Sequence, residues 1–484
     1  MQLSAIYKLM GGDGADPVTL YDTVRKATRI AAIRNGQKQY DYKKHDVAQP
    51  SKRPDRKSFV PSGKTDPVTG EDLLVEKFEA PARAPLPIQE YIIKQKASFA
   101  AGTGVKLRPS DEKSGIFKDV YRNWYDIKAD FFLRDIAKHQ MKDTQVAAIF
   151  FGEHDGEARE LDQFSFEFML VGPSIDGSIL EPVFDNRRKL VALGREYEDV
   201  ETGQEIYDLY IERDRSVAGS KPILRRYKGK GKEHEDIGLD YPKLPLVYWE
   251  QPEPECAPVD ELIKEFEFGF NDFLTQMGFT ADPILFGRGR VLNLPAKGSA
   301  GKFIEGSEDA DLKYVTPDNA TESRELQFKL LQKYIFGFQR SVLLDLDTMQ
   351  ALSEVSGAAL DRYLIDAYME ATDRQQGSWG LGVQRMVNWL VAAWKHVRDK
   401  ENDPTTIDVS FTKYRVEDTK ETVEMLLLAN GQQPLISQEA SISEAGLADD
   451  PAVEYARIQK EQERNAQAPA PVAPNPASIE GQQT

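Results

Sequence analysis

Two long helical patterns separated by an irregular insertion constrain the fold of this chain more than any other feature. From Pro258 to Phe279, apolar residues recur at every third or fourth position, which is the spacing of one face of an α-helix. A loop-rich segment follows from Asp282 to Asn319, and a second apolar stripe then runs from Glu322 to Leu344. Each helix would be roughly 30–35 Å long. The stripes consist of Val259, Leu262, Ile263, Phe266, Phe270, Phe273 and Met277 in the first helix and Phe328, Leu331, Ile335, Phe338 and Val342 in the second.

A third apolar pattern predicts a long helix with a kink. It begins with the small residues of Ser356–Leu360 and continues to Trp394. Gly377, Gly380 and Gly382 interrupt it. Because each glycine weakens a helix interior by about 1 kcal/mol, we expect the helix to bend or break there. The predicted order is therefore helix, protruding loop, antiparallel helix, tight loop and long kinked helix.

This order resembles the core of the portal proteins of long-tailed (siphovirus-type) bacteriophages. The residues from Pro258 to Ile263, continuing to Asp282–Leu285, are similar to the first stem helix of that family and its run into the clip. Ser356–Leu360 resembles the small-residue start of the family's spine helix, and Tyr91–Leu107 resembles a helix and strand of its wing. The resemblance covers roughly residues 17 to 462, and it rests on the order of the helices, loops and strands.

The resemblance implies an α+β portal-protein fold with an α/β wing, a two-helix stem, a small clip insertion, a long kinked spine helix and a helical crown. The implied parts are the wing (1–257), first stem helix (258–281), clip (282–320), second stem helix (321–345), tunnel loop (346–356), spine helix with a return strand of the wing (357–415), crown (416–463) and a disordered tail (464–484). Apolar and polar residues alternate from Thr406 to Thr412, which predicts the return strand of the wing. The Ala/Pro/Gln-rich composition of the tail predicts disorder there.

The N-terminal half predicts helices followed by short antiparallel strands. The basic stretch from Arg34 to Lys64 is predicted to be an irregular loop, either solvated or in contact with an acidic partner. The predicted helices are Pro17–Ile33, Leu86–Ala101 and Ile116–Gln140, and the predicted strands are Val146–Phe151, Phe164–Val171, Ile206–Ile211, Pro222–Tyr227 and Leu244–Trp249.

Composition limits the classes of function that the chain can serve. A net charge of −17 in 484 residues argues against a protein that grips nucleic acid by its phosphates. The charge could instead form an acidic wall past which DNA slides, or it could serve solubility alone. The single cysteine, Cys256, rules out an intrachain disulfide and is expected to be a buried thiol. No apolar run approaches a membrane span and the N-terminus lacks a signal peptide, so we expect no membrane contact and assembly in a host bacterial cytoplasm.

The sequence contains no motif that supports catalysis or a cofactor. The five histidines lie far apart, and none belongs to a metal-binding pattern such as HExxH. The segment Lys297–Phe303 resembles a phosphate-binding loop only superficially, because Ala296 replaces the first glycine and Phe303 replaces the Mg²⁺-binding hydroxyl residue. We therefore expect a protein that is not an enzyme and that holds no metal or cofactor.

Two charged rows on the predicted stem helices are candidates for a subunit interface. Each row falls at positions i, i+4 and i+11 of its helix, away from the apolar stripe. The rows consist of Glu261, Glu265 and Asp272 on the first helix and Lys329, Lys333 and Arg340 on the second. They are either two independently solvated faces or the complementary halves of a contact between neighbouring subunits. Exposed ion pairs contribute about 0–1 kcal/mol each, so such a contact would determine how neighbouring subunits align more than how strongly they associate.

The resemblance also implies the residues that meet DNA and partner proteins. The tunnel loop would line the narrowest part of the channel with Asp347, Thr348, Met349, Gln350 and Glu354. The clip is rich in glycine, so it is expected to gain order from neighbouring subunits. Its basic residues, Arg288, Arg290, Lys297 and Lys302, would meet an acidic partner surface or the DNA.

The function implied by the resemblance is that of a ring at one capsid vertex through which double-stranded DNA enters and leaves. It implies a homododecamer in the virion whose clip meets the terminase large subunit and later the head–tail connector. The wing would meet the major capsid protein, and the resemblance leaves open a scaffold protein as a further partner. The alternative is a helical scaffold or adaptor of a phage particle that forms no channel. A nuclease would require a metal-binding carboxylate cluster, which the sequence does not present.

Overall fold

The computed structural model describes two compact units, which are treated separately. The first unit comprises Met1–Leu343 and Ile365–Tyr414, and the second comprises Leu344–Leu364 and Arg415–Thr484. The described residues are 27–65, 72–111, 113–154, 164–200, 202–213, 220–228, 234–281, 284–288, 291–293, 305–306, 311–315, 321–343, 362–412, 424, 426–429, 437–438, 441–442 and 451–466. Helices and antiparallel sheets both occur, which confirms the α+β class.

The first unit begins with helix α1 (Ala27–Tyr40), two short 3₁₀ turns and the hairpin of β1 (Arg56–Thr65) and β2 (Asp72–Glu79). The prediction of an irregular loop from Arg34 to Lys64 is therefore wrong. Ile33 and Val47 are buried and anchor this basic stretch to the protein. The predicted helix from Pro17 to Ile33 lies largely outside the described residues.

Helices α2 (Ile88–Ala101), α3 (Gly115–Asp126) and α4 (Ala129–Asp143) follow, with strand β3 (Val105–Pro109) after α2. The sequence predicted one helix from Ile116 to Gln140, whereas the structure divides it at Lys128, which has a left-handed φ of 51°. The Asp130 carboxylate holds this break, because it accepts hydrogen bonds from Val105 N and from the Trp124 indole, at 3.2 Å and 3.1 Å.

Two antiparallel sheets make up the middle of the first unit. A three-stranded sheet has the order β11–β4–β5 and a five-stranded sheet has the order β10–β9–β8–β7–β6. The strands are β4 (Gln145–His154), β5 (Phe164–Val171), β6 (Ile179–Phe184), β7 (Leu190–Glu198), β8 (Glu205–Ile211), β9 (Ile223–Lys228), β10 (His234–Gly238) and β11 (Leu246–Glu250). Within these two sheets β6, β7 and β10 were not predicted. Strands β6 and β7 contain Pro182 and Gly194, residues that weaken a strand signal.

The main core surrounds helix α8 (Ser378–Val397). Helices α7 (Ile365–Gln376) and α8 (Ser378–Val397) are separated at Gly377, so the predicted break is confirmed. Trp389 of α8 stacks on Phe150 of the three-stranded sheet with ring centroids 4.4 Å apart. Strand β16 (Ile407–Phe411) then pairs with β3, which confirms the predicted strand after the kinked helix.

The two long central helices frame a strand-containing insertion. Helix α5 (Asp260–Ala281) leads into β12 (Ile284–Arg288), and β15 (Asp311–Val315) pairs with β12 before helix α6 (Thr321–Phe338). A small pair lies between them, formed by β13 (Val291–Asn293) and β14 (Glu305–Gly306). Strands therefore leave the first long helix and return to the second.

Helix α6 is shorter than the predicted span, because it ends at Phe338 rather than Leu344. Arg340 has a left-handed φ of 47°, Arg340 N donates to Gly337 O at 3.1 Å, and Ser341 N donates to Phe336 O at 3.0 Å. This pattern is a Schellman motif, with Arg340 at the position that glycine usually occupies. Arg340 therefore lies beyond the helix on which its charged row was predicted.

The described part of the second unit is helical. It includes residues 426–429 and helix α9 (Pro451–Ala466). Helix α9 reaches past residue 464, where the disordered tail was predicted to start. Among the described helices of both units, none is long and apolar enough to span a membrane.

Candidate subunit interface

Helices α5 and α6 pack through a cluster of phenylalanines. The ring of Phe328 on α6 lies among Phe266, Phe270 and Phe273 of α5, with centroid distances of 5.5, 6.4 and 6.1 Å. Ile335 is fully buried in the same core. The predicted apolar stripes therefore face each other, as their periodicity indicated.

The opposite side of α5 holds an extended segment, residues 80–87, which we call the strap. Alternate backbone groups of the strap pair with α5 side chains. Asn271 accepts from Ala84 N at 2.6 Å and donates to Ala84 O at 2.8 Å. On either side of this pair, Ala82 N donates to Thr275 Oγ1 at 3.0 Å and Leu86 N donates to Glu267 Oε1 at 2.7 Å. These contacts fix the strap along two turns of α5.

A buried histidine–carboxylate pair completes this attachment. His45 Nδ1 lies 2.8 Å from Glu267 Oε1, and His45 Nε2 lies 2.9 Å from the carbonyl oxygen of Gln39. Because both partners of the ring are acceptors, the arrangement suits the doubly protonated imidazolium. Burial opposes that charge, but the Glu267 carboxylate and the Gln39 carbonyl outweigh it and raise the pKa of His45 above its usual value. The sequence analysis left this histidine without a role, since its partner lies 222 residues away.

The structure does not bring the two charged rows together within one chain. Asp272 accepts from Arg53 at 2.8 Å and from Arg56 at 3.3 Å. The described partner of Glu261 is Lys264 of the same helix, and that of Lys329 is Glu325. Arg340 pairs with Asp373 and Glu370. Glu265 and Lys333 are exposed, and neither has an ion pair with another described residue.

The outer side of α6 carries an exposed apolar row that the sequence analysis missed. Its four residues recur at intervals of four, and the rings of Tyr334 and Phe338 stack with centroids 5.6 Å apart. We call this row the ridge; it consists of Leu326, Leu330, Tyr334 and Phe338. Phe338 was predicted to be core, but the structure leaves it 67% exposed because α6 ends there. The spacing of four residues between these apolar positions was the sequence signal that could have revealed the ridge.

The chain after α6 is fastened to α2 and α7. The Lys96 ammonium donates to Gln339 Oε1 at 2.9 Å and pairs with Glu255 at 2.5 Å. Arg374 also pairs with Glu255, at 2.5 Å, and contacts Glu370. Burial acts to raise the pKa of Glu255, but Arg374 and Lys96 outweigh it and hold the pKa below its usual value. This network therefore keeps a buried carboxylate ionised at the end of α6.

Of the predicted channel and clip residues, the structure describes Arg288. Arg288 is the last residue of β12, opposite Asp311 of β15. The other predicted residues lie outside the described part of the chain: Arg290, Lys297, Lys302, Asp347, Thr348, Met349, Gln350 and Glu354.

The described residues contain no cluster of three histidine, cysteine, aspartate or glutamate side chains able to hold a metal ion. Cys256 is fully buried, as predicted, and burial raises the pKa of its thiol.

Comparison with known proteins places the chain in a family. A family model described as phage portal protein, SPP1 Gp6-like, matches residues 179–468, which include α5, the insertion, α6 and the helices that follow. No curated protein matches the chain. A solved structure described as the neck of an empty GTA particle computed with C6 symmetry shares 10% identity, covering 74% of this chain and 89% of that one. Its TM-score of 0.37 is too low to support an argument. Because the family match spans more than half of the sequence, this chain belongs to the SPP1 Gp6-like family of phage portal proteins.

Proposed function

We propose that this phage portal protein forms a closed ring around a channel for double-stranded DNA at one capsid vertex. The observation that carries the proposal is the α5–insertion–α6 hairpin, which in a chain of the portal family leaves the apolar ridge exposed among the described residues. The ridge lies on one side of the hairpin and the strap on the other, so a contact between neighbours would be head-to-tail. Head-to-tail contacts close into rings when their rotation allows it. The resemblance of the sequence to long-tailed phage portals favours twelve copies.

In this proposal α5 and α6 are the stem, the insertion between them is the clip and α7–α8 belong to the spine. Glu261 and Glu265 of one subunit would face Lys329 and Lys333 of the next. These residues are exposed, so their pairing would select the register of the ring, while apolar contacts supply most of its stability.

The channel would guide DNA without binding it tightly. The net charge of −17 disfavours tight phosphate binding, which suits a conduit through which DNA must move in both directions. The tunnel-loop residues Asp347, Thr348, Met349, Gln350 and Glu354 would line its narrowest part. This assignment rests on the sequence resemblance, and the ATP hydrolysis that drives packaging would belong to the terminase large subunit.

The insertion would serve as the docking point for other components of the particle. Its basic residues, Arg288, Arg290, Lys297 and Lys302, would face acidic surfaces of the terminase and later of the head–tail connector. The N-terminal part of the chain would contact the major capsid protein. These partners place the protein in the virion, at the vertex where DNA enters and leaves.

Native mass spectrometry of the purified chain tests the proposal. A portal predicts one dominant closed oligomer whose mass is an integer multiple of the chain mass. The second candidate, a helical scaffold or adaptor without a channel, predicts monomers, dimers or an open series of sizes. An open series or a purely monomeric protein would contradict the ring.

A further inference from the structure

Two apolar surfaces of the first unit lack a covering partner among the described residues. One is the ridge on α6. The other is formed by the paired strands β1 (residues 56–65) and β2 (residues 72–79), which we call the arm. Its strands pair with each other and with no other described strand. Val75 and Phe78 are 49% and 62% exposed, and they lie three residues apart on β2, so each face of the arm presents one large apolar side chain to its surroundings.

A two-stranded hairpin gains little stability by itself. Isolated hairpins are marginally stable in water, and they become stable when they pack on a helix or on further strands. The Lys57–Glu76 pair at 2.5 Å links the two strands, but both side chains are about half exposed, and such pairs contribute little. The exposed Phe78 therefore indicates a second surface that the described residues of this chain do not supply.

The root of the arm, which consists of the strap and residues 53–56, is attached to the side of α5 that faces away from α6. Asn271, which binds the strap, lies about 140° around the helix from Phe266, which faces α6. Arg53 and Arg56, at the start of the arm, both bond to Asp272. The strap with the arm, α5 and α6 thus form successive layers, with the ridge on the last layer.

We propose that the arm of one subunit packs on the ridge of a neighbouring copy of this chain. The proposal rests on the proposed ring, because a head-to-tail ring places the outer face of α6 against the strap layer of the next subunit. The occupant is a second copy because each chain carries one arm and one ridge, so every subunit gives and receives one contact. The sizes agree: α6 spans about 27 Å and the eight residues of β2 span about 26 Å.

The charges beside the two surfaces are complementary. Lys329 and Lys333 each precede a ridge residue and so border the ridge on α6. Glu265 lies seven residues before Asp272 and therefore shares the face of α5 beside the root of the arm. Packing the arm of one copy on the ridge of another brings these acidic and basic residues together. The arrangement offers Glu265 and Lys333 the opposite charges that other described residues do not supply.

Disulfide cross-linking tests the contact directly. We would combine Phe78→Cys with Leu326→Cys, Leu330→Cys or Tyr334→Cys, and oxidise the ring fraction of each double variant. Cys256 is fully buried and so does not interfere. The proposal predicts a ladder of covalent multimers for at least one pair, and none for the single variants. Wild-type rings together with no intermolecular cross-link from any pair would overturn the arm contact and leave the ring intact. A wild-type chain that forms no ring would contradict the proposed function and the arm contact together.

A matched pair of serine substitutions gives a second readout that does not depend on cysteine chemistry. Leu330 on the ridge is 42% exposed, and Leu381 on α8 is 50% exposed, so both changes should leave the fold intact. Leu330→Ser should weaken the contact between subunits about three- to tenfold, because the neighbouring copy would bury the exposed 42% of this leucine side chain. Leu381→Ser should leave assembly unchanged. Equal assembly by the two variants would contradict the proposal.

Discussion

Gln95 holds the backbone of Val342 through both polar atoms of its side-chain amide. Gln95 Oε1 accepts from Val342 N at 2.8 Å, and Gln95 Nε2 donates to Val342 O at 2.7 Å. The Tyr91 hydroxyl donates to the same carbonyl oxygen at 3.0 Å. These bonds replace the helical ones that the chain loses when α6 ends, and they attach the residues after α6 to α2.

The first prediction follows from this clamp. Gln95→Ala should lower the free energy of unfolding by about 1–3 kcal/mol, because Val342 is buried and its backbone would lose hydrogen bonds. Its N–H would lose its acceptor, and its carbonyl oxygen would lose one of its two donors. Amide hydrogen exchange at Val342 should accelerate. Gln327→Ala, on the exposed side of α6, is the control and should change neither quantity. Identical urea unfolding curves for the two variants would show that the clamp is dispensable.

The second prediction concerns the pH dependence of stability. The folded-state pKa of His45 lies above the unfolded value of about 6.5, so protonation favours folding. The contribution is fully present below about pH 6.5 and is lost as the pH rises through the folded-state pKa. His45→Gln should therefore cost most stability, about 1–3 kcal/mol, at mildly acidic pH and progressively less in alkaline buffer. Urea unfolding of both proteins across this range measures the difference, and a difference that grows with pH would refute the assignment.

The third prediction compares two glycines. A Cβ atom on Gly382 of α8 would overlap the indole of Trp249, whose Nε1 donates to Trp379 O at 3.1 Å. Gly382→Ala should therefore destabilise the protein by about 1–3 kcal/mol through overpacking. Gly337 of α6 has open space around the same position, so Gly337→Ala should stabilise the helix by about 0.5–1 kcal/mol. Thermal unfolding should shift in opposite directions, and a common direction would be inconsistent with this packing.

The fourth prediction tests the charged rows. Glu265→Lys should disturb ring assembly, because Glu265 is proposed to face Lys333 of the neighbouring subunit. Lys333→Glu alone should have a similar effect, and combining the two substitutions should restore assembly in part. Analytical ultracentrifugation of the four proteins measures the effect. Normal assembly of both single variants would show that the rows are independently solvated faces.

Periodicity predicted the elements whose folding depends on nearby residues. Helix α5 follows its apolar stripe, and β5 has the predicted bounds, Phe164–Val171. The last residue of a helix or strand was less predictable where a contact with residues distant in the sequence determines it. Nothing near Arg340 in the sequence indicates a left-handed turn, because the residues around it, Gln339 and Val342, are held by Lys96 and Gln95 of α2.

The candidate interface was predicted only in part for the same reason. Helical spacing correctly separated the charged rows from the apolar stripe. It could not show that Asp272 bonds to Arg53, because these residues are 219 positions apart. Spacing also could not reveal that Gly382 leaves room for the indole of Trp249 from β11. Gly382 was therefore interpreted only as a helix-weakening residue.

Electron microscopy of the purified, assembled protein tests the central claim most directly. Class averages viewed along the particle axis should show closed rings of identical subunits around an open central hole, with twelve copies expected from the resemblance to long-tailed phage portals. The stem helices should form a narrower part below a wider part built from the sheets. Compact particles without an axial hole, or open chains of subunits, would contradict the account.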